Sequence, residues 1–251
     1  MLRRLALLPL LALFACSSST ESTPAADTGS ISVIEGGTDT GADLGTPDVP
    51  SCSSLRETTL GPVSRVTTGV VETVSDTAGV KTLYIDAVAG GFGKEASNPW
   101  VFLDLATGKR VDIDDKAAMS AKTWDLSFKR ALVRNNSNDS GPGNGGAALL
   151  DTKAFDAVTL ADAKAAKLRI EIWFDDACNP LRDATGQLAV SFFDWYLYDS
   201  ASSKLIPAKG TWVVRSADGA HYYKLEFVDY YKKPDGSTAS GSYTLRYAEL
   251  K

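Results

Sequence analysis

The sequence predicts an all-β domain, mostly antiparallel, with one or two short helices, behind a disordered N-terminal tether. Three observations lead there. Short runs of β-branched and aromatic residues are separated by Gly, Asp, Asn and Pro at turn spacing. An Asp-Gly pair sits between two such runs near the C-terminus. Alanine-rich, helix-favouring sequence is confined to residues 153–167.

In chain order, Val63, Val66, Val70, Val71 and Val74 mark a Thr/Val-rich first run, and residues 80–88 (VKTLYIDAV) partly alternate. Asn98-Pro99 turns the chain before Trp100-Val101-Phe102-Leu103-Asp104-Leu105. Thr107-Gly108 is the next turn, beyond which Val111 and Ile113 alternate. Helix is expected only at residues 153–157 and 160–167. Leu168, Ile170 and Ile172 then alternate with Arg169, Glu171 and Trp173, the pattern of a half-buried strand. Trp212-Val213-Val214-Arg215 and residues 222–228 flank Ala217-Asp218-Gly219-Ala220, the strongest hairpin signal in the chain. Pro234-Asp235-Gly236 turns toward the last strand, Tyr243-Thr244-Leu245-Arg246-Tyr247. The folded domain is placed at residues 56–251, a length suited to a single core.

The first residues read differently. Arg3 and Arg4 precede an apolar stretch at residues 5–14, too short to span a bilayer, so residues 1–15 read as a cleaved signal peptide. Leu13-Phe14-Ala15-Cys16 resembles the bacterial lipobox, which implies acylation of Cys16 and attachment to membrane lipid. Ser17 after the cysteine resembles lipoproteins sorted to the outer membrane, so a bacterial outer membrane or cell surface is the expected location. Residues 16–55 read as an acidic Ser/Thr/Gly-rich spacer without Lys or Arg, too poor in apolar residues to fold alone. Its six acids account for most of the net charge: removing Arg3 and Arg4 from 26 basic residues leaves 24 against 31 acids, a net of −7. The folded part is therefore nearly neutral, which gives no electrostatic footprint for nucleic acid. With Cys16 acylated, Cys52 and Cys178 remain, either bridged or as two free thiols.

Most catalytic patterns are absent. Gly141-Pro142-Gly143-Asn144-Gly145-Gly146 matches G-x-G-x-x-G formally, but no apolar strand precedes it and Pro142 interrupts it, so residues 135–146 read as a long mobile loop. Asn136, Asn138 and Asp139, and separately Asp112, Asp114 and Asp115, miss calcium-loop spacing and read as solvated turns. One histidine, His221, leaves no histidine-based triad or multi-histidine zinc site, and no Gly-x-Ser-x-Gly elbow occurs. The chain reads as a binding protein, not an enzyme.

Five pieces in order resemble the HmuY family of haem-binding bacterial lipoproteins over about residues 60–250. They are residues 100–108 (WVFLDLATG); Trp124-Asp125-Leu126-Ser127-Phe128; the Asn/Gly loop from Arg134; Asp151-Thr152-Lys153-Ala154-Phe155; and residues 213–225 with Tyr230-Tyr231 and 241–247. The resemblance implies an all-β fold that binds haem, or a related porphyrin, for uptake. It implies as partners a host or environmental haem carrier and an outer-membrane receptor. It also implies two axial side chains on the iron, one of them just after the Trp-Asp-x-x-Phe strand. Here that place reads Lys129-Arg130, neither a usual haem-iron ligand. His221 and Met119 are the axial candidates that remain, although a surface histidine and a loop or core methionine are the plainer readings of both. The alternative is a non-enzymatic lipoprotein of the same fold with a different ligand or a protein partner.

Overall fold

The computed structural model of the chain describes residues 52–183 and 186–251. The expected signal peptide at residues 1–15, the expected acylation site Cys16 and the expected tether up to residue 51 lie outside the described residues. Regular structure begins inside the expected tether, because Cys52 is bridged to Cys178 and is followed at once by helix α1 (Ser53–Leu60).

The hairpin β1 (Val71–Thr77) and β2 (Val80–Asp86) comes next, turning in two residues at positive φ, Ala78 and Gly79. Then follow β3 (Val101–Asp104), β4 (Lys109–Val111), the single-turn helix α2 (Asp115–Ala118), β5 (Leu126–Lys129) and β6 (Leu132–Asn135). Strand β7 (Gly146–Leu150) leads to α3 (Leu160–Ala165). The chain closes with the hairpin β8 (Tyr196–Asp199) and β9 (Lys204–Pro207), then β10 (Thr211–Arg215), β11 (Tyr222–Asp229) and β12 (Ser242–Leu250).

Every strand pair is antiparallel. A six-stranded sheet runs β1-β2-β12-β11-β10-β7, and a four-stranded sheet runs β4-β3-β5-β6. Their facing sides share one core: Leu83, Ile85, Trp212, Leu225, Phe227 and Tyr243 of the larger sheet meet Val101, Leu103, Leu126, Phe128 and Val133 of the smaller. Burying a Leu, Val or Phe side chain in this way contributes roughly 1.5–3 kcal/mol. Both outer faces are covered as well. α3 seals Ala148 and Val213 of the larger sheet, and Trp100, Phe102 and Trp124 pack with Ala118 outside the smaller. This double burial explains why Trp100-Val101-Phe102-Leu103 reads as a continuous apolar run without alternation.

The expected hairpin at Asp218-Gly219 is present, with Arg215 paired to Tyr222 across a six-residue loop. Gly219 takes φ 79°, and Asp218 Oδ1 accepts from Ala220 N at 2.8 Å. The helix expected at 160–167 is α3, opened by a reciprocal capping box between Thr159 and Asp162. At residues 153–157 only a 3₁₀ turn forms, Phe155–Ala157.

Three expectations are corrected. Residues 168–173 are not a strand; apart from a bridge between Arg169 and Ala147, they run irregularly, with Ile170 and Ile172 exposed and Glu171 and Trp173 buried. The face is inverted because the Glu171 carboxylate accepts from Asn135 N, Ser191 N, Ser191 Oγ and Trp173 Nε1 at 2.5–3.0 Å. Residues 135–146 are not a mobile loop but a buried polar knot. Asn136 Nδ2 donates to Ala121 O and Trp124 O, while its Oδ1 accepts from Gly143 N. A Cβ at Gly141 or Gly143 would lie 2.3 Å or 2.6 Å from Asn136, so these glycines serve close packing. Asp115, thirdly, is buried and not in a solvated turn: its carboxylate accepts from Val63 N at 3.0 Å and Trp100 N at 2.8 Å. Helices α1 and α2 and the β8–β9 hairpin carry no signal that the sequence reading registered.

Candidate functional site

β2 and β11 start, and β12 finishes, at one end of the larger sheet, where the β1–β2 turn and the β10–β11 loop also lie. There they enclose a cleft of about 550 Å³, within the range of ligand sites, lined by Val80, Lys81, Leu105, His221, Tyr223 and Tyr247 among others. His221 sits on its rim, half-exposed, at the end of the β10–β11 loop. Its Nδ1 lies 2.9 Å from Glu249 Oε1, and its Nε2 lies 3.8 Å from Asp218 Oδ2. The Glu249 hydrogen bond raises the pKa of the imidazole above its usual value. An Nδ1–H held by a carboxylate fixes the tautomer in which Nε2 carries the free lone pair, the arrangement found behind metal-bound histidines. Tyr223 and Tyr247 are pushed upward by burial and stay protonated, and Tyr247 Oη donates to Leu105 O at 3.1 Å.

Met119 is not part of this cleft. It caps the C-terminal end of α2, and Trp124 Nε1 donates to the carbonyl of its neighbour Ala118 at 3.0 Å. The two axial candidates therefore do not line a common cavity.

The Lys129-Arg130 turn lies at the opposite end of the sheets and is committed to packing. Lys129 is buried, 4.0 Å from Asp115 Oδ2, with its amine 5.5 Å from the Trp100 ring centroid. Burial lowers the pKa of this amine and raises that of Asp115, so the two charges hold each other in an otherwise hostile place. Arg130 takes φ 52°, its guanidinium donates to Ser240 O, and its carbonyl accepts from Tyr243 Oη at 2.6 Å. Nearby, Arg134 is stacked 4.1 Å from Trp100, with Trp124 and Trp173 at 5.6 and 5.5 Å. Burial pushes its pKa down to about 10, which leaves it cationic at neutral pH. The sequence marked Lys129-Arg130 only as an absent axial ligand and carried no sign of this layer, because Asp115, Trp100 and Trp173 reach it from distant positions in the chain.

An iron porphyrin is the cofactor that the resemblance implies, and the residues present fit it in part. The cleft offers one imidazole, whose Nε2 lies 3.8 Å from Asp218, apolar and aromatic walls, and Lys81, Lys224 and Lys251, the last of them paired with Glu249 at 3.9 Å. It offers no second imidazole or thioether, and among the described residues no group of three or more His, Cys, Asp or Glu side chains could hold a bare metal ion. The Trp-Asp motif proves architectural. Asp125 accepts from Leu105 N at 2.8 Å and Ala217 N at 2.7 Å, tying the smaller sheet to the β10–β11 loop that presents His221.

Comparison with known proteins agrees with the motif reading. A family model described as HmuY protein matches residues 96–247. Among solved structures, the chain is similar to the apo HmuY analogue TFO of Tannerella forsythia, at 19% identity and a TM-score of 0.48, over 72% of this chain and 98% of that one. No curated protein matches the chain.

Proposed function

We propose a function from one premise: this chain belongs to the HmuY family, whose model spans residues 96–247. The family is a haem-binding type of surface-associated bacterial protein without enzymatic activity. In this chain the ligand is haem or a related porphyrin, taken up for import by a lipoprotein anchored through Cys16 in the outer membrane. The observation that carries the reading is the His221 cleft, where Glu249 orients the imidazole as a metal ligand requires. His221 would hold the iron from one side. Apolar walls at Val80, Leu105 and Ala248 would cover the porphyrin, and the rim lysines would pair with its carboxylates. When bound, the haem supplies only its own affinity and redox character; the chain orients it, encloses it and releases it.

With His221 as the one imidazole in the cleft, haemin would be held more weakly than a site with two strong donors would hold it. The filled Lys129-Arg130 turn favours the second reading, a lipoprotein of this fold with another ligand or a protein partner. Haemin titration separates the two. Saturable binding that weakens by about tenfold in Glu249→Gln, and further in His221→Ala, supports porphyrin capture in this cleft. Binding unchanged by both substitutions, or no binding, supports the second reading. Anchoring is tested apart from ligand: Cys16→Ala abolishes partitioning into the detergent phase, and a variant that still partitions removes the lipobox reading.

A further inference from the structure

The end of the molecule opposite His221 carries an unusual set of exposed apolar side chains. β2 and β11 end there and β12 begins there. Backbone bonds knit its loops together: Ala87 N donates to Gly241 O, Arg130 N to Ala87 O, and Ala239 N to Tyr231 O. Side chains attach the β8–β9 hairpin to the same end, since Trp195 Nε1 donates to Ala131 O and Tyr231 Oη accepts from Leu205 N.

From this end Phe92 projects on a loop whose Gly90, Gly91 and Gly93 all take positive φ, and it is 91% exposed. Leu197 and Ile206, directly opposite each other across the β8–β9 pair, are 68% and 49% exposed, and Tyr198 is 63% exposed. Val228, at the irregularity in β11, is 53% exposed and lines a shallow cleft with Ile206 and Pro207. The charges here are arranged asymmetrically. Asp199, Asp229 and Asp235 are each spent on capping backbone N–H groups of their own turns. Lys94, Lys204, Lys209, Lys232 and Lys233 form no ion pair among the described residues.

We propose that this end is a membrane-contact surface, in which Phe92, Leu197, Ile206 and Val228 enter the interfacial layer of an anionic bilayer while the lysines meet lipid phosphates. Phe92 stands on a loop, Leu197 and Ile206 on the β8–β9 hairpin and Val228 on β11 beside a shallow cleft; apolar side chains spread in this way over separate elements suit a deformable lipid interface better than a rigid protein partner. Amines unpaired with protein carboxylates complement anionic headgroups, and tyrosines such as Tyr198 favour the headgroup level. Among the described residues no helix is long and apolar enough to cross a membrane, so the contact is peripheral. It is independent of what the His221 cleft binds, and it would leave that cleft facing away from the lipid.

The native tryptophans make the test clean, since all five are buried. The full chain carrying Phe92→Trp, or Asp218→Trp at the other end as comparator, is reconstituted into vesicles of phosphatidylethanolamine and brominated phosphatidylglycerol. The proposal expects the introduced indole at position 92 to lose most of its emission and the one at 218 to keep it. It also expects Leu197→Ser with Ile206→Ser to restore the emission at 92. Equal quenching at both positions, or none at 92, overturns it; the second result would leave the surface to a protein partner or a second copy of the chain.

Discussion

Asp125 is the residue on which the two sheets depend. Its carboxylate is buried and accepts two backbone N–H groups, one before the β4 turn and one in the β10–β11 loop. Replacing it by Ala strands both donors, each at about 1–3 kcal/mol, so Asp125→Ala loses about 2–6 kcal/mol of stability in urea unfolding. The motif that contains it was legible in the sequence, but its role was not, because its partner Ala217 lies far along the chain and sequence spacing carries no trace of that contact. His221 was legible only as the lone imidazole, and Glu249 was not singled out at all. Since Glu249 raises the histidine's pKa, the protonated form is favoured in the folded state. The resulting stabilisation is fully present below the usual value of 6.5 and is lost as pH rises through the folded-state pKa. A metal takes the neutral ring, so the proposed haem ligation by His221 would strengthen over the same rise. An NMR titration places the His221 pKa above 6.5, and in Glu249→Gln it falls back toward 6.5.

At the scale of elements, strands and turns were the readable part. β2, β3, β10, β11 and β12 announce themselves through β-branched and aromatic runs bounded by Gly, Asp and Pro, because local propensity and burial agree there. Residues 168–173 misled, since alternation identifies a face but not which face, and the hydrogen bonds to Glu171 outweighed two exposed isoleucines. Helix α1 was invisible for another reason: it is held by the Cys52–Cys178 bridge and by Arg56 Nε donating to Asp139 O at 2.5 Å, both remote in sequence. The bridge closes a loop with a sequence separation of 126. Cys178→Ser therefore lowers stability by about 2–4 kcal/mol, through the wider freedom of the unfolded chain. Amide exchange should show faster opening of α1 and of the segment around residue 178 first, with β10–β12 exchanging last; uniform loss across the sheets would contradict this placement of the bridge.

At the largest scale, the described residues form a two-sheet sandwich with different chemistry at its two ends. One end carries the imidazole cleft, and the other a packed charged and aromatic layer with exposed apolar side chains near it. Where the resemblance implies an axial ligand, this chain has Lys129, buried and tied to Asp115 and Trp100. Met119 does not line the His221 cleft, so His221 and Met119 would not both reach the iron of a porphyrin held there as proposed. The most direct measurement is the absorption and electron paramagnetic resonance spectrum of the ferric haemin complex, in the native chain and in His221→Ala with Met119→Ala. The account predicts a five-coordinate, high-spin spectrum in the native chain and loss of ligation in the double variant. A six-coordinate, low-spin spectrum that survives both substitutions would contradict it.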